Sequence, residues 1–94
     1  MNKFHNITIN QTTQEYLYLT VDERAYRVAW INCSKRLSAG TPEERSFIDI
    51  APSGYGLHWP LLDEDLAIEP LLKQADAVYF EPARRDVESI AVTN

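Results

Sequence analysis

The sequence lacks the material from which several kinds of protein are built. It has one cysteine, Cys33, so no disulfide closes within the chain and the framework of a small disulfide-rich secreted domain is excluded. Its two histidines, His5 and His58, together with Cys33 are too few for the four Cys or His ligands of a structural zinc site. Asp63 and Asp65 are spaced like the start of a calcium loop, but Ile68 stands where glycine is required and Gln74 where glutamate is required, which excludes an EF-hand. No metal and no cofactor is expected. The serines carry no Gly-x-Ser-x-Gly elbow, and Ser53-Gly54-Tyr55-Gly56 lacks the spacing and the following lysine of a phosphate-cradling loop.

Long apolar runs are missing too, none approaching the roughly 20 residues of a membrane helix. The residues after Met1 show neither the basic start nor the apolar stretch of a signal peptide. A cytoplasmic protein with no membrane partner is expected. Positive charge is sparse: the net charge is −5, and Lys35-Arg36 and Arg84-Arg85 are isolated pairs, shorter than a nucleic-acid-binding tract. Direct nucleic-acid binding by this chain is not expected.

What is present suits one small core. Two Trp, five Tyr and three Phe in 94 residues supply far more buried surface than a disordered chain carries. The reading is a single α+β domain over residues 4–76, with a C-terminal arm over 77–94 that is extended or partly ordered. Its expected architecture is a small antiparallel sheet, made of an N-terminal strand, a hairpin and further short strands, with two or three short helices.

Ile7 and Ile9 alternate with polar neighbours, the period of a half-buried strand. Tyr16 to Val21 and Tyr26 to Ile31 flank the polar Asp22-Glu23-Arg24 and read as a hairpin. Asn32 or Ser34 is placed to cap a short helix with Trp30, Cys33 and Leu37 on one face and Gly40 at its end. Thr41-Pro42-Glu43-Glu44 has the spacing of a capping box with proline at the first helical position. Phe47 to Ile50 reads as a strand, Leu57 to Trp59 and Asp65 to Ile68 as short strands or ordered loop, and Glu69 to Ala75 as a helix with Pro70 in its first turn.

The residues with most chemical potential lie in His58-Trp59-Pro60-Leu61-Leu62-Asp63-Glu64-Asp65. One reading is an acid/base pair of His58 with Asp63 or Asp65. The other is structural: Trp59, Leu61 and Leu62 in the core, His58 donating to a backbone carbonyl, and Asp63 to Asp65 bonding loop amides while facing solvent. Cys33 reads as a buried thiol rather than a nucleophile. The glycines and prolines between positions 52 and 60 are expected to hold the following acidic turn rigid, so Tyr55, His58, Trp59, Asp63, Glu64 and Asp65 form the candidate interaction loop.

Gly40-Thr41-Pro42-Glu43-Glu44-Arg45, followed by Gly54-Tyr55-Gly56-Leu57-His58-Trp59-Pro60-Leu61-Leu62-Asp63-Glu64-Asp65-Leu66-Ala67-Ile68, resembles the bacterial and phage domain-of-unknown-function family 2442 (DUF2442) over roughly residues 16–73. Two places depart from the family pattern: the usual Asp-Gly-Arg hairpin turn is Asp22-Glu23-Arg24, and an aromatic-Pro-Arg-Leu segment is Cys33-Ser34-Lys35-Arg36-Leu37. The resemblance implies a small α+β domain with no established activity, often stand-alone, sometimes fused to a helix-turn-helix, and often encoded beside another small uncharacterised protein. That setting suggests an accessory, antitoxin-like or regulatory partner. Three functions follow for weighing: a protein-interaction module docking a small partner encoded nearby, a small enzyme using His58 with Asp63 or Asp65, and a subunit of a transcriptional regulatory complex. Val87 to Val92 also prompts an expectation of homo-oligomers formed through the C-terminal arm.

Overall fold

The computed structural model describes residues 5–77, which form an α+β fold of two small antiparallel sheets and three short helices. The chain begins with β1 (Ile7–Thr12), β2 (Tyr16–Val21) and β3 (Arg24–Ala29). Alternation along β2 sends Leu17, Leu19 and Val21 into the core and leaves Tyr16, Tyr18 and Thr20 half-buried on the other face. β1 carries one extra residue. Its partners run Ile9↔Leu19 and then Gln11↔Tyr18, which leaves Asn10 as a bulge whose side-chain amide donates to Thr20 Oγ1 (2.8 Å).

Val21 pairs with Arg24, so the β2–β3 turn has two residues, Asp22 and Glu23, both with positive φ (51° and 74°). That geometry matches the twist of the flanking strands and favours Asn-Gly or Asp-Gly. Glu23 adopts it with a Cβ, at a cost that glycine avoids.

The expected second strand of the hairpin ends two residues early. Trp30 turns its backbone N–H to Glu15 O (3.1 Å) and its indole N–H to Thr13 O (2.9 Å), and Trp30–Asn32 forms a single 3-10 turn that leaves Ile31 77% exposed. Trp30 is therefore core, but outside the helix that follows. In α1 (Lys35–Ala39) the Ser34 hydroxyl accepts the Leu37 N–H (3.1 Å). In α2 (Pro42–Ser46) the capping box is complete, with Glu44 N–H on Thr41 Oγ1 (3.1 Å) and Thr41 N–H on Glu44 Oε1 (2.9 Å). Helices of five residues do not persist by themselves, so something must hold these two.

Arg45 does. The residue is 6% exposed, and among the described residues every acceptor of its guanidinium is a backbone carbonyl. Nη1–H donates to Leu37 O (3.2 Å) and Gly40 O (2.7 Å), with Ser38 O at 3.4 Å, and Nη2–H donates to Gln14 O (3.1 Å). The end of α1, whose last carbonyls have no partner within the helix, is thus closed by a side chain of α2. The guanidinium also lies over the Trp30 ring, 5.4 Å from its centroid. The Arg45 carbonyl accepts the Trp59 indole N–H (3.0 Å), and the two indoles meet edge-on at 6.2 Å.

The second sheet consists of β4 (Asp49–Ile50), β5 (Gly56–Trp59) and β6 (Glu64–Ala67), with β5 central. The later strands thus form a sheet of their own instead of extending the first. Phe47 and Ile48 do not pair: Phe47 ends α2 in extended conformation and is 52% exposed. α3 (Ile68–Lys73) starts one residue before Glu69 and stops before Ala75. Its first N–H is satisfied by Tyr55 O (2.7 Å), and Ile68 and Leu71 enter the core. β7 (Asp76–Ala77) pairs with Tyr26 and Arg27 of β3, giving the first sheet the order β1-β2-β3-β7. The core joins Leu17, Leu19, Val21, Val28, Trp30, Leu37, Leu57, Trp59, Ile68 and Leu71. Leu61, expected inside, is 54% exposed, and Leu62 alone of that pair packs on the core. Among the described residues no helix is long and apolar enough to cross a membrane. The arm beyond residue 77, with the oligomer expectation placed on Val87 to Val92, lies outside the described residues.

Two stability measurements follow. Arg45→Lys keeps the charge but loses the planar fork that spans the Gln14 and Gly40 carbonyls, and is expected to lower the urea-unfolding free energy by about 2–4 kcal/mol, against less than ~0.5 kcal/mol for a surface change. Glu23→Gly removes the positive-φ penalty and is expected to raise it by about 1 kcal/mol, with the slope against urea unchanged.

Candidate functional site

The β5–β6 hairpin carries most of the candidate loop. Alternation along β5 buries Leu57 and Trp59 and turns Gly56 and His58 outward. Register then decides the neighbours of His58: Asp49 of β4 on one side and Asp65 of β6 on the other. An imidazole thus sits between two aspartates in one cross-strand row on the open face of the sheet, where directly opposite side chains interact. His58 Nδ1–H donates to Asp65 Oδ1 (2.7 Å), not to the backbone carbonyl expected from sequence. Both partners are open to solvent, with side chains 40% and 78% exposed, so the pair adds little to stability.

The turn between the strands is Pro60 to Asp63. Leu62 N–H donates to Trp59 O (3.2 Å), and Asp63 has φ 51°, a left-handed geometry that aspartate tolerates better than most residues. Arg36 of α1 fastens this turn from outside, its Nη1–H on Asp63 O at 2.7 Å. Glu64 accepts the Asp65 N–H at Oε1 (3.2 Å). Tyr55 leads into β5 with the residue 54% exposed and its carbonyl held by α3. Of the six candidate residues, His58 and Asp65 are joined directly, Asp63 and Glu64 sit in and beside the same turn, and Tyr55 stands at the far end of β5. Trp59 differs from the rest. Its side chain is fully buried, because its indole N–H is taken by Arg45 O and its ring by Trp30, so it holds the surface up and does not form part of it.

An open groove of about 440 Å³ lies elsewhere, lined by the 3-10 turn and α1 from Ile31 to Ala39 and including Cys33. The Cys33 thiol, half-buried with Sγ 3.5 Å from Ala29 O, has its pKa pushed up to about 12 by burial. A thiolate is therefore scarce at neutral pH. Among the described residues no group of three or more His, Cys, Asp or Glu is placed to hold a metal ion.

Three residues escaped sequence reasoning. Arg45 was visible only as the last letter of a helix-start motif, and nothing local marks a guanidinium that will be buried among distant carbonyls. His5 meets Asp22 and Glu69, residues 17 and 64 positions away, for which no spacing rule exists. Asp49, the third member of the row, belonged to a stretch read only as a strand, and the β4–β5 register is what promotes it.

The family model described as "Protein of unknown function (DUF2442)" matches residues 9–77. Comparison with curated proteins and with solved structures gives no match.

Burial of Cys33 makes one prediction for this region. Alkylation of the native chain by iodoacetamide at pH 7.5 is expected to run at least ~100-fold slower than that of the urea-unfolded chain, since only thiolate reacts. Equal rates would mean that the thiol stands free in the groove.

Proposed function

The chain belongs to the DUF2442 family, and from that premise we propose that it is a protein-interaction module, an accessory or antitoxin-like subunit that docks a small protein partner. The observation that carries this reading is the exposed row Asp49, His58 and Asp65, continued by Asp63 in the turn, on a sheet whose other face is anchored through Trp59. Carboxylates held at fixed spacing on strands select and orient a basic partner better than the same charges on a mobile tail. Exposed apolar side chains at Phe47, Tyr55 and Leu61 provide contact area of the kind that interfaces bury. The net charge of −5 favours encounter with a cationic protein over nucleic acid. In a transcriptional regulatory complex, on this reading, another chain supplies the DNA contacts.

A second reading has one observation in its favour. The 2.7 Å hydrogen bond of His58 to Asp65 is the arrangement by which a carboxylate orients an imidazole base. The pair lies on a strand face, however, and the groove along α1 does not include it, whereas substrate sites are concave. The interaction reading accounts for more of the surface.

The test is co-purification from the native host with the wild-type chain and an Asp49→Asn, Asp63→Asn, Asp65→Asn variant, measuring the amount of any stoichiometric companion. Loss of three exposed charge pairs is expected to cut its recovery by about tenfold, and raising the salt should do the same to the wild type. Equal recovery of the companion with both chains, or no companion with the wild type, would overturn the assignment.

A further inference from the structure

His5 stands where four segments of the fold meet. Its backbone N–H donates to Ser53 O (3.1 Å). Its carbonyl lies against Gly54, whose φ is 74° and where an added Cβ would come within 2.0 Å of that oxygen. The imidazole, 17% exposed, sits between two carboxylates: Nδ1 is 2.6 Å from Asp22 Oδ2 in the β2–β3 turn, and Nε2 is 3.4 Å from Glu69 Oε2 on α3. Asp22 is tied to the same segment twice more, accepting the Asn6 N–H at Oδ1 (3.0 Å) and donating its own N–H to Asn6 O (2.9 Å).

A neutral imidazole has a proton on one nitrogen, whereas the imidazolium has one on each. Both contacts therefore act as hydrogen bonds at the same time only in the charged form. In the neutral form with Nδ1 protonated, the Asp22 bond survives and a lone pair on Nε2 faces the Glu69 carboxylate. We infer that His5 is a proton-dependent latch, which in its charged form clamps the segment preceding β1 between the β2–β3 turn, α3 and the Ser53–Gly54 loop, and which loosens from α3 on deprotonation.

The groups facing the ring fix the direction of the effect. Asp22 faces it from the turn and Glu69 from α3, the Ser53–Gly54 loop offers only a backbone carbonyl at Ser53, and among the described residues these two carboxylates are the charges that act on it. The hydrogen bond that His5 donates to Asp22 first, and the one to Glu69 after the opposing effect of burial, raise the His5 pKa above its ordinary 6.5. The His5 bond, with help from the Asn6 N–H, lowers the Asp22 pKa below its ordinary 3.8. A raised histidine pKa means that the stabilisation is complete below 6.5 and lost as pH rises through the folded value. The lowered Asp22 pKa means that its share is present above 3.8 and lost as pH falls through its own folded value. The latch is closed in mild acid and opens toward alkaline pH. It shares no residue with the acidic row on the second sheet, so either can fail without the other.

The experiment is an NMR titration of the full chain carrying His58→Gln, which leaves His5 as the single imidazole. Its midpoint is expected above 6.5, and the exchange protection of the Asn6 amide, corrected for intrinsic base catalysis, is expected to fall through that midpoint by about two- to fivefold, the factor an exposed ion pair supplies. Glu69→Gln, a surface change that leaves the core intact, is expected to lower the midpoint and flatten the protection step. A midpoint at or below 6.5, or Asn6 protection that stays level across it, would overturn the latch.

Discussion

A guanidinium buried among backbone carbonyls is the constraint on which this fold depends. Burying a cation is costly unless its protons find acceptors, and here the acceptors are carbonyls left over from other elements: the end of α1 at Leu37 and Gly40 and the β1–β2 loop at Gln14. The Leu37 carbonyl also accepts the Gly40 N–H, so the Arg45 guanidinium adds a second donor there and supplies donors to the Gly40 and Gln14 carbonyls, while its own Nε–H is buried without a partner among the described residues. Through its own carbonyl the same residue reaches Trp59, and through its plane it reaches Trp30. The two sheets therefore meet at a polar pivot framed by two indoles, with aliphatic side chains filling the space around it. The capping box at Thr41 and Glu44 acquires a wider meaning in this light. It fixes the start of a single helical turn, and with it the direction in which the Arg45 side chain leaves the backbone.

The acidic surface is a consequence of that pivot. Trp59 occupies the inner face of β5, so period-two alternation places His58 on the outer face, and antiparallel register brings Asp49 and Asp65 beside it. A strand with a smaller or more polar residue at 59 would have no such reason to keep one orientation. Besides the glycines and prolines that precede the acidic turn, two hydrogen bonds from other elements reach this stretch: Arg36 donates to the Asp63 carbonyl, and the Ile68 N–H of α3 donates to the Tyr55 carbonyl.

Much of the fold was legible because its signals are local. The capping box, the choice of Asn32 or Ser34 as a cap, the aromatic and β-branched run of β2 and the hairpin around Asp22-Glu23-Arg24 are written in residues that are neighbours in sequence; the structure takes Ser34 as the cap and narrows the turn to Asp22 and Glu23. The errors share one physical cause. The end of β3 at Ala29, the failure of Phe47 and Ile48 to pair, and the exposure of Leu61 follow from partners that lie far off in the chain: the Thr13 carbonyl for Trp30, the Arg45 carbonyl for Trp59, and the Arg36 guanidinium for the turn at Asp63. The candidate loop was chosen in the chain as a stretch rich in histidine and acid. That Trp59 faces away from it, and that Asp49 joins it, depends on strand pairing, which composition does not encode.

The bulge in β1 has a consequence for how this sequence can change. Upstream of Asn10, Ile7 and Ile9 stand opposite Val21 and Leu19; downstream, Thr12 stands opposite Leu17. Odd positions point inward before the bulge and even positions after it, so Asn10 acts as a phase shift in the strand. Shortening the strand by that one residue would preserve its composition and put its two halves half a pleat out of step. Either the isoleucines would face water, or the Thr13 and Gln14 carbonyls would miss Trp30 and Arg45. Insertions and deletions in this edge strand are therefore tied to the pivot through the loop that follows it.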